Sequence, residues 1–164
     1  MIGCFDVDYR GDEANAACVM FATWGASIAD GECVARVSDV EPYVPGQFYR
    51  RELPCLLAAL KKSEGEFSVV VIDGYVWLDA GGAPGLGAHL FDALEKKVPV
   101  IGVAKTRFEG AAPVEITRGS SRQPLFITAA GIDLALAASQ IQVMHGPHRI
   151  PTLLKRADQL CRAW

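Results

Sequence analysis

The run Phe67-Ser68-Val69-Val70-Val71-Ile72 is apolar and rich in β-branched residues, and it ends on Asp73 and the turn Gly74-Tyr75. A second run, Ile2-Gly3-Cys4-Phe5, ends on Asp6. Runs of this kind suit strands that are covered on both faces, which lie at the centre of a sheet. Set side by side, two such strands would each bring a carboxylate to the same part of the sheet. The chain is therefore constrained to a layered architecture with two acids near its middle.

At 164 residues the chain is read as a single domain, 1–164, long enough to bury a core without disulfides. No apolar stretch approaches the roughly 20 residues needed to cross a bilayer, so no membrane association is expected. Nothing at the N-terminus resembles a secretory signal, and the expected location is cytoplasmic. The five cysteines at 4, 18, 33, 55 and 161 form no Cys-x-x-Cys pair, which argues against a disulfide framework and against structural zinc. A net charge of −3 gives no global attraction to nucleic acid, so such a partner would need a local basic surface. Candidates are Arg50 with Arg51, Lys61 with Lys62, Lys105 with Arg107, and Arg149, Lys155, Arg156 and Arg162, all equally readable as solvated surface charges.

Three β-rich segments near 2–9, 16–24 and 31–38, separated by turn-forming Arg10-Gly11-Asp12-Glu13 and Ala29-Asp30-Gly31-Glu32, predict an antiparallel meander. After Pro42-Tyr43-Val44-Pro45-Gly46, a helix is expected over 47–62, with Pro54 kinking or restarting it and Leu53, Leu56, Leu57 and Leu60 as its apolar stripe. Strand 67–72, a helix near 85–96 and strand 99–103 form a β-α-β unit with parallel strands. Strands near 113–117 and 124–128, a helix over 133–144 and a closing helix from Pro151 complete the reading. The fold class is α/β: a mixed sheet in which an antiparallel three-strand meander is followed by parallel strands, with helices on both faces. That order is the one found in ribonuclease H-like folds, and fold analogy alone does not fix function.

Asp6 and Asp73 carry the chemistry. Hydrolysing a phosphodiester at neutral pH needs an activated water and neutralised phosphate charge, and hard oxygen ligands suit Mg2+ or Mn2+. Either aspartate alone reads as a turn cap; the pair on neighbouring strands favours a shared ion. Glu52, solvent-facing by default, could lean its carboxylate over the strand ends. Lys105 follows the strand Ile101-Gly102-Val103-Ala104, where its ammonium could hold a phosphate or stabilise developing charge. Asp158 on the last helix reads, from the residues alone, as the partner of Arg162 in an i, i+4 ion pair.

Gly3-Cys4-Phe5-Asp6, Pro42-Tyr43-Val44-Pro45-Gly46 with Arg51-Glu52, Val71-Ile72-Asp73-Gly74, Pro99-Val100-Ile101-Gly102-Val103-Ala104-Lys105 and Arg149-Ile150-Pro151 follow one another in the order seen in endonuclease V. Over nearly its whole length the chain resembles that family. The resemblance implies a ribonuclease H-like fold and a Mg2+- or Mn2+-dependent endonuclease acting in nucleic-acid repair or processing. Such enzymes cut DNA or RNA one nucleotide beyond a deaminated purine, chiefly inosine. It makes Asp6, Glu52 and Asp73 metal-binding and catalytic carboxylates and Lys105 a catalytic residue that contacts phosphate; Asp158 departs from the family's residue at its position, but its oxygens can also bind Mg2+, which adds it as a further metal ligand and catalytic carboxylate. The resemblance makes Pro42, Tyr43, Val44 and Pro45, with Gly74, the nucleic-acid-binding set, the first four forming a wedge at the lesion. Two prolines would hold Tyr43 on a stiff turn where its ring replaces a lost stacking partner; the plainer reading is a tyrosine packed beside the following helix.

The departures bear on the substrate. Where the family has a glycine-rich turn and His-Pro-Arg, this chain has Gly74-Tyr75-Val76-Trp77-Leu78-Asp79-Ala80-Gly81-Gly82-Ala83-Pro84. Where the family has Ser-Pro-Gly-His, it has Thr128-Ala129-Ala130-Gly131-Ile132, and the family's histidine on the last helix aligns with Asp158. Tyr75 and Trp77 either reshape or close the base pocket. His89, His145 and His148 are read as structural or loop residues. Besides the endonuclease V activity, the sequence leaves open a non-catalytic nucleic-acid-binding relative and a nuclease for flap or branched DNA.

Overall fold

The computed structural model describes residues 1–164. Its first strand, β1 (Ile2–Arg10), turns through Gly11-Asp12 directly into β2 (Glu13–Phe21), and β3 (Gly31–Val37) completes the antiparallel meander. Gly11 has φ +64°, a conformation that glycine adopts without a Cβ penalty, and Arg10 already pairs with Glu13 across this two-residue turn. The tight hairpin is why β2 begins three residues earlier than expected and ends before Trp24.

α1 (Phe48–Ser63) runs through Pro54 as one helix and is followed by β4 (Val69–Asp73), α2 (Leu86–Ala93) and β5 (Val100–Ala104). β4 pairs in parallel with both β1 and β5, as a crossover through α2 requires. α2 stops earlier than expected, at Ala93, and Glu95 and Lys96 follow at φ 55° and 59°. β6 (Val114–Ile116) and β7 (Leu125–Ala130) close the sheet, whose order is β3-β2-β1-β4-β5-β7-β6. β7 runs antiparallel to β5, so the parallel run ends at β5; no helix lies between the two to carry the chain back for a parallel return.

α3 (Leu134–Val143), capped by the Asp133 side chain on the Leu136 amide at 2.9 Å, and α4 (Thr152–Cys161) complete the chain. Ile2, Cys4, Val71, Ile101 and Val103 pack against α3 and α4, while Phe5, Val70, Ile72 and Val100 pack against α1 and α2. The central strands are thus apolar on both sides, and the arrangement is ribonuclease H-like. α4 is tethered at the meander edge, where the Arg156 guanidinium donates to both Glu32 oxygens at 2.8 and 2.7 Å. No helix is long and apolar enough to cross a membrane.

Candidate active site

Side-chain alternation gathers the site on one face. Ile2 and Cys4 of β1, Val69 and Val71 of β4, and Ile101 and Val103 of β5 all face α3 and α4. Continuing each series by two residues puts Asp6, Asp73 and Lys105 on that same face. The register pairs Phe5 with Ile72 and Asp73 with Val103, so Asp6 and Asp73 lie level on adjacent strands. Packed over them, α4 contributes Asp158 and Lys155. Asp6, Asp73, Lys105 and Asp158 line one cleft of about 30 Å³, room for a water or an ion.

The charges in this cleft oppose one another. The Asp6 carboxyl is pushed up to about 6, first by burial and then by Asp73, against the opposing pull of the Val7 amide and Lys105. Its Oδ1 accepts from the Val7 N–H at 2.8 Å, and Oδ2 has no donor. The Lys105 ammonium donates to Asp73 Oδ2. Burial pulls that ammonium down, but Asp73, Asp6 and Asp158 outweigh it and hold it above the usual lysine range.

Glu52 arrives from the opposite face. The buried residues of α1 are Glu52, Cys55, Leu56 and Ala59, so the helix has turned its stripe by one residue from the expected leucines, and a glutamate takes the first place on it. Glu52 is only 6% exposed, and its carboxyl is raised well above its usual range by burial, then by Asp6 and Asp73. An acid that is buried, repelled by two others and given no hydrogen-bond donor is suited to a cation. No three acidic, histidine or cysteine side chains converge as a ready-made metal cage. The donor set of hard oxygens still fits a divalent ion.

Asp158 forms the i, i+4 ion pair with Arg162. It lines the cleft, yet Oδ1 accepts from Arg162 Nε at 2.8 Å and Oδ2 from Lys155 Nζ at 3.1 Å. Burial would raise its carboxyl, but these two partners hold it below the usual range.

Beside the cleft lies a second cavity of about 330 Å³, walled by Tyr43, Phe48, Tyr49, Gly74, Tyr75 and Phe108, with Asp73 at its edge. Pro42, Tyr43, Val44 and Pro45 form an exposed loop ahead of α1; Tyr43 is 58% exposed and meets Phe48 edge-on with centroids 6.3 Å apart. The opposite wall depends on Gly102: a Cβ there would sit 2.5 Å from the Gly74 carbonyl and 2.9 Å from Thr128 Oγ1. Only a glycine on β5 lets the 74–76 turn cross so closely, with the Val76 N–H donating to Thr128 Oγ1 at 2.8 Å. Tyr75 leaves the cavity open and braces it, its hydroxyl donating to the Thr106 carbonyl and accepting from the Phe108 N–H, both at 2.9 Å. Trp77 points away, donating to the Ala129 carbonyl at 2.9 Å.

Residues 1–137 match the family model of endonuclease V. The chain belongs to the endonuclease V family. Endonuclease V proteins are nucleases, hydrolases of phosphodiester bonds that work with a divalent metal. Endonuclease V of Streptomyces coelicolor is 32% identical, over 95% of this chain and 74% of that protein. The solved endonuclease V of Streptomyces avermitilis superimposes with a TM-score of 0.79 at 28% identity, covering 98% of this chain and 79% of that one. Ciona intestinalis endonuclease V, solved with a DNA containing an inosine followed by a ribo-adenosine, shares the fold with a TM-score of 0.78 at 20% identity, over 98% of this chain and 84% of that one. Arg149 and Asp158 lie beyond the stretch that the endonuclease V family model matches.

Several residues around the site escaped the sequence reading. Phe48 and Tyr49 open α1 while Phe108 lies in the loop after β5, and no spacing groups the three. His89, by contrast, is read from the sequence as structural, and it stacks on Tyr49 with ring centroids 3.7 Å apart. Arg118 is 4% exposed and donates to the carbonyls of Gln142, Met144, Gly146, His148 and Arg149, fixing the loop that leads into α4. Nothing in its local sequence marks it.

Proposed function

We propose that this chain is a Mg2+- or Mn2+-dependent endonuclease that cuts a nucleic-acid strand near a deaminated base, inosine foremost. The observation that carries this reading is the level placement of Asp6 and Asp73 on adjacent strands, in one cleft with Lys105 and with Glu52 buried behind them. Asp6 Oδ2, the second Asp73 oxygen and the Glu52 carboxyl would hold the ion, with Asp158 able to join once released from Lys155 and Arg162. When bound, a divalent cation supplies charge neutralisation at the phosphate and activates the attacking water. Lys105 exchanges its Asp73 partner for the scissile phosphate and offsets charge that builds there. Tyr43, on its exposed loop, takes the stacking place of the displaced base, which enters the aromatic cavity beside Gly74. Support for inosine comes from family membership and from the Ciona intestinalis relative.

The test is a cleavage panel with Mn2+: DNA and RNA strands with and without inosine, a mismatched duplex, a flap and a plain single strand. Cleavage near inosine is expected, and Asp73→Ala should bind the same strands without cutting them. A wild-type protein inert on every substrate, or Asp73→Ala as active as wild type, would overturn the proposal. Cleavage confined to the flap would keep the nuclease and discard inosine.

A further inference from the structure

The segment Arg149-Ile150-Pro151 has no part in the chemistry described above, yet Arg149 reaches directly beneath the lysine. Its Nη2 donates to the backbone carbonyl of Lys105 and to that of Pro124 at 2.7 Å, and Nη1 donates to Gln123 Oε1 at 3.3 Å. The β5–β7 ladder ends at the pair Ala104–Phe126. Beyond it Pro124 has no N–H with which to continue the pairing. One guanidinium nitrogen therefore bridges two carbonyls at the point where the sheet stops holding the chain. Arg149 is itself held, because Arg118 donates to the carbonyls of His148 at 2.8 Å and Arg149 at 3.3 Å.

From this geometry we infer that Arg149 is a positioning residue of the active site, fixing the peptide of Lys105 so that its ammonium stands at Asp73 and the cleft. The inference rests on the endonuclease reading for its consequence in catalysis, and on the hydrogen bonds alone for the coupling itself. A guanidinium spent on three acceptors of its own chain is poorly placed to bind phosphate, so its effect reaches the reaction through Lys105. Misplacing a reacting group by about an ångström can cost up to about a hundredfold in rate.

The test compares Arg149→Met, Arg149→Lys, Lys105→Met and the Arg149→Met/Lys105→Met double variant. Arg149→Met should lower kcat by between about tenfold and about a hundredfold with KM little changed. Arg149→Lys, which keeps the charge without the fork, should fall between, and it decides the matter if Arg149→Met does not fold. The double variant should be no slower than Lys105→Met alone. In parallel, at one fixed pH, the Thr106 amide 15N resonance and the 13C resonance of methylated Lys105 should move in both Arg149 variants while amides of α1 stay in place. Multiplicative losses in the double variant, a change in KM alone, or unmoved resonances would overturn the inference. Moved resonances in a protein that cleaves nothing would sink the endonuclease reading and leave the coupling of Arg149 to Lys105 standing.

Discussion

Asp6 shows how the proposed active site strains its own protein. Its carboxyl ionises near pH 3.8 in an unfolded chain and is pushed up to about 6 in the fold. The group therefore favours the folded state fully below pH 3.8, and that contribution is lost as pH rises through about 6. At neutral pH, without metal, the charged Asp6 works against the fold by on the order of 2 to 3 kcal/mol. Asp6→Asn, which keeps an acceptor for the Val7 amide, should raise the melting temperature in chelator at pH 7, leave it little changed at pH 4, and abolish cleavage. Thermal melts across that range test the sign. Tyr43 makes the opposite case: it is exposed, so Tyr43→Ala should leave stability within about 0.5 kcal/mol. Its loss should weaken strand binding by the roughly 1 to 3 kcal/mol of one base-stacking contact, as titration with a labelled inosine strand would read.

Among the elements, the close crossing of β5 by the 74–76 turn is the most sensitive joint. Gly102→Ala would drive a methyl against the Gly74 carbonyl and Thr128 Oγ1. It should cost about 1 to 3 kcal/mol by urea unfolding and reduce cleavage beyond that, because Asp73 immediately precedes the displaced turn. Arg118→Met, which leaves five carbonyls short of a donor, should destabilise by about 1 to 3 kcal/mol in the same measurement. These two positions also mark the limit of what the sequence discloses. The alternation of apolar residues already places Asp6, Asp73 and Lys105 on one face, because strand parity is a local property. The direction of β7, the one-residue rotation of the α1 stripe that buries Glu52, and the reach of Arg118 are decided by contacts between distant segments. A buried arginine bonded only to backbone carbonyls selects no partner residue types, so no pattern announces it.

For the whole molecule, the unpaired acids predict a stability that depends on divalent ions. At a free Mn2+ concentration about 100 times its dissociation constant, binding to the folded state alone adds about 2.7 kcal/mol, or roughly 5 to 10 °C in melting temperature for a chain of this size. Asp73→Ala should lose most of that gain, as calorimetry with and without chelator would show. The placing of α4 has a further consequence. Arg156 ties it to Glu32 at one margin of the sheet, and the loop ahead of it is pinned by Arg118 and by Arg149 to Pro124 at the other. The helix is thus held toward both margins of the sheet, above the cleft that Asp6 and Asp73 line. Whatever bending the encounter demands then falls on the bound strand, and a substrate already slack at the cleavage point should be accepted with the least resistance.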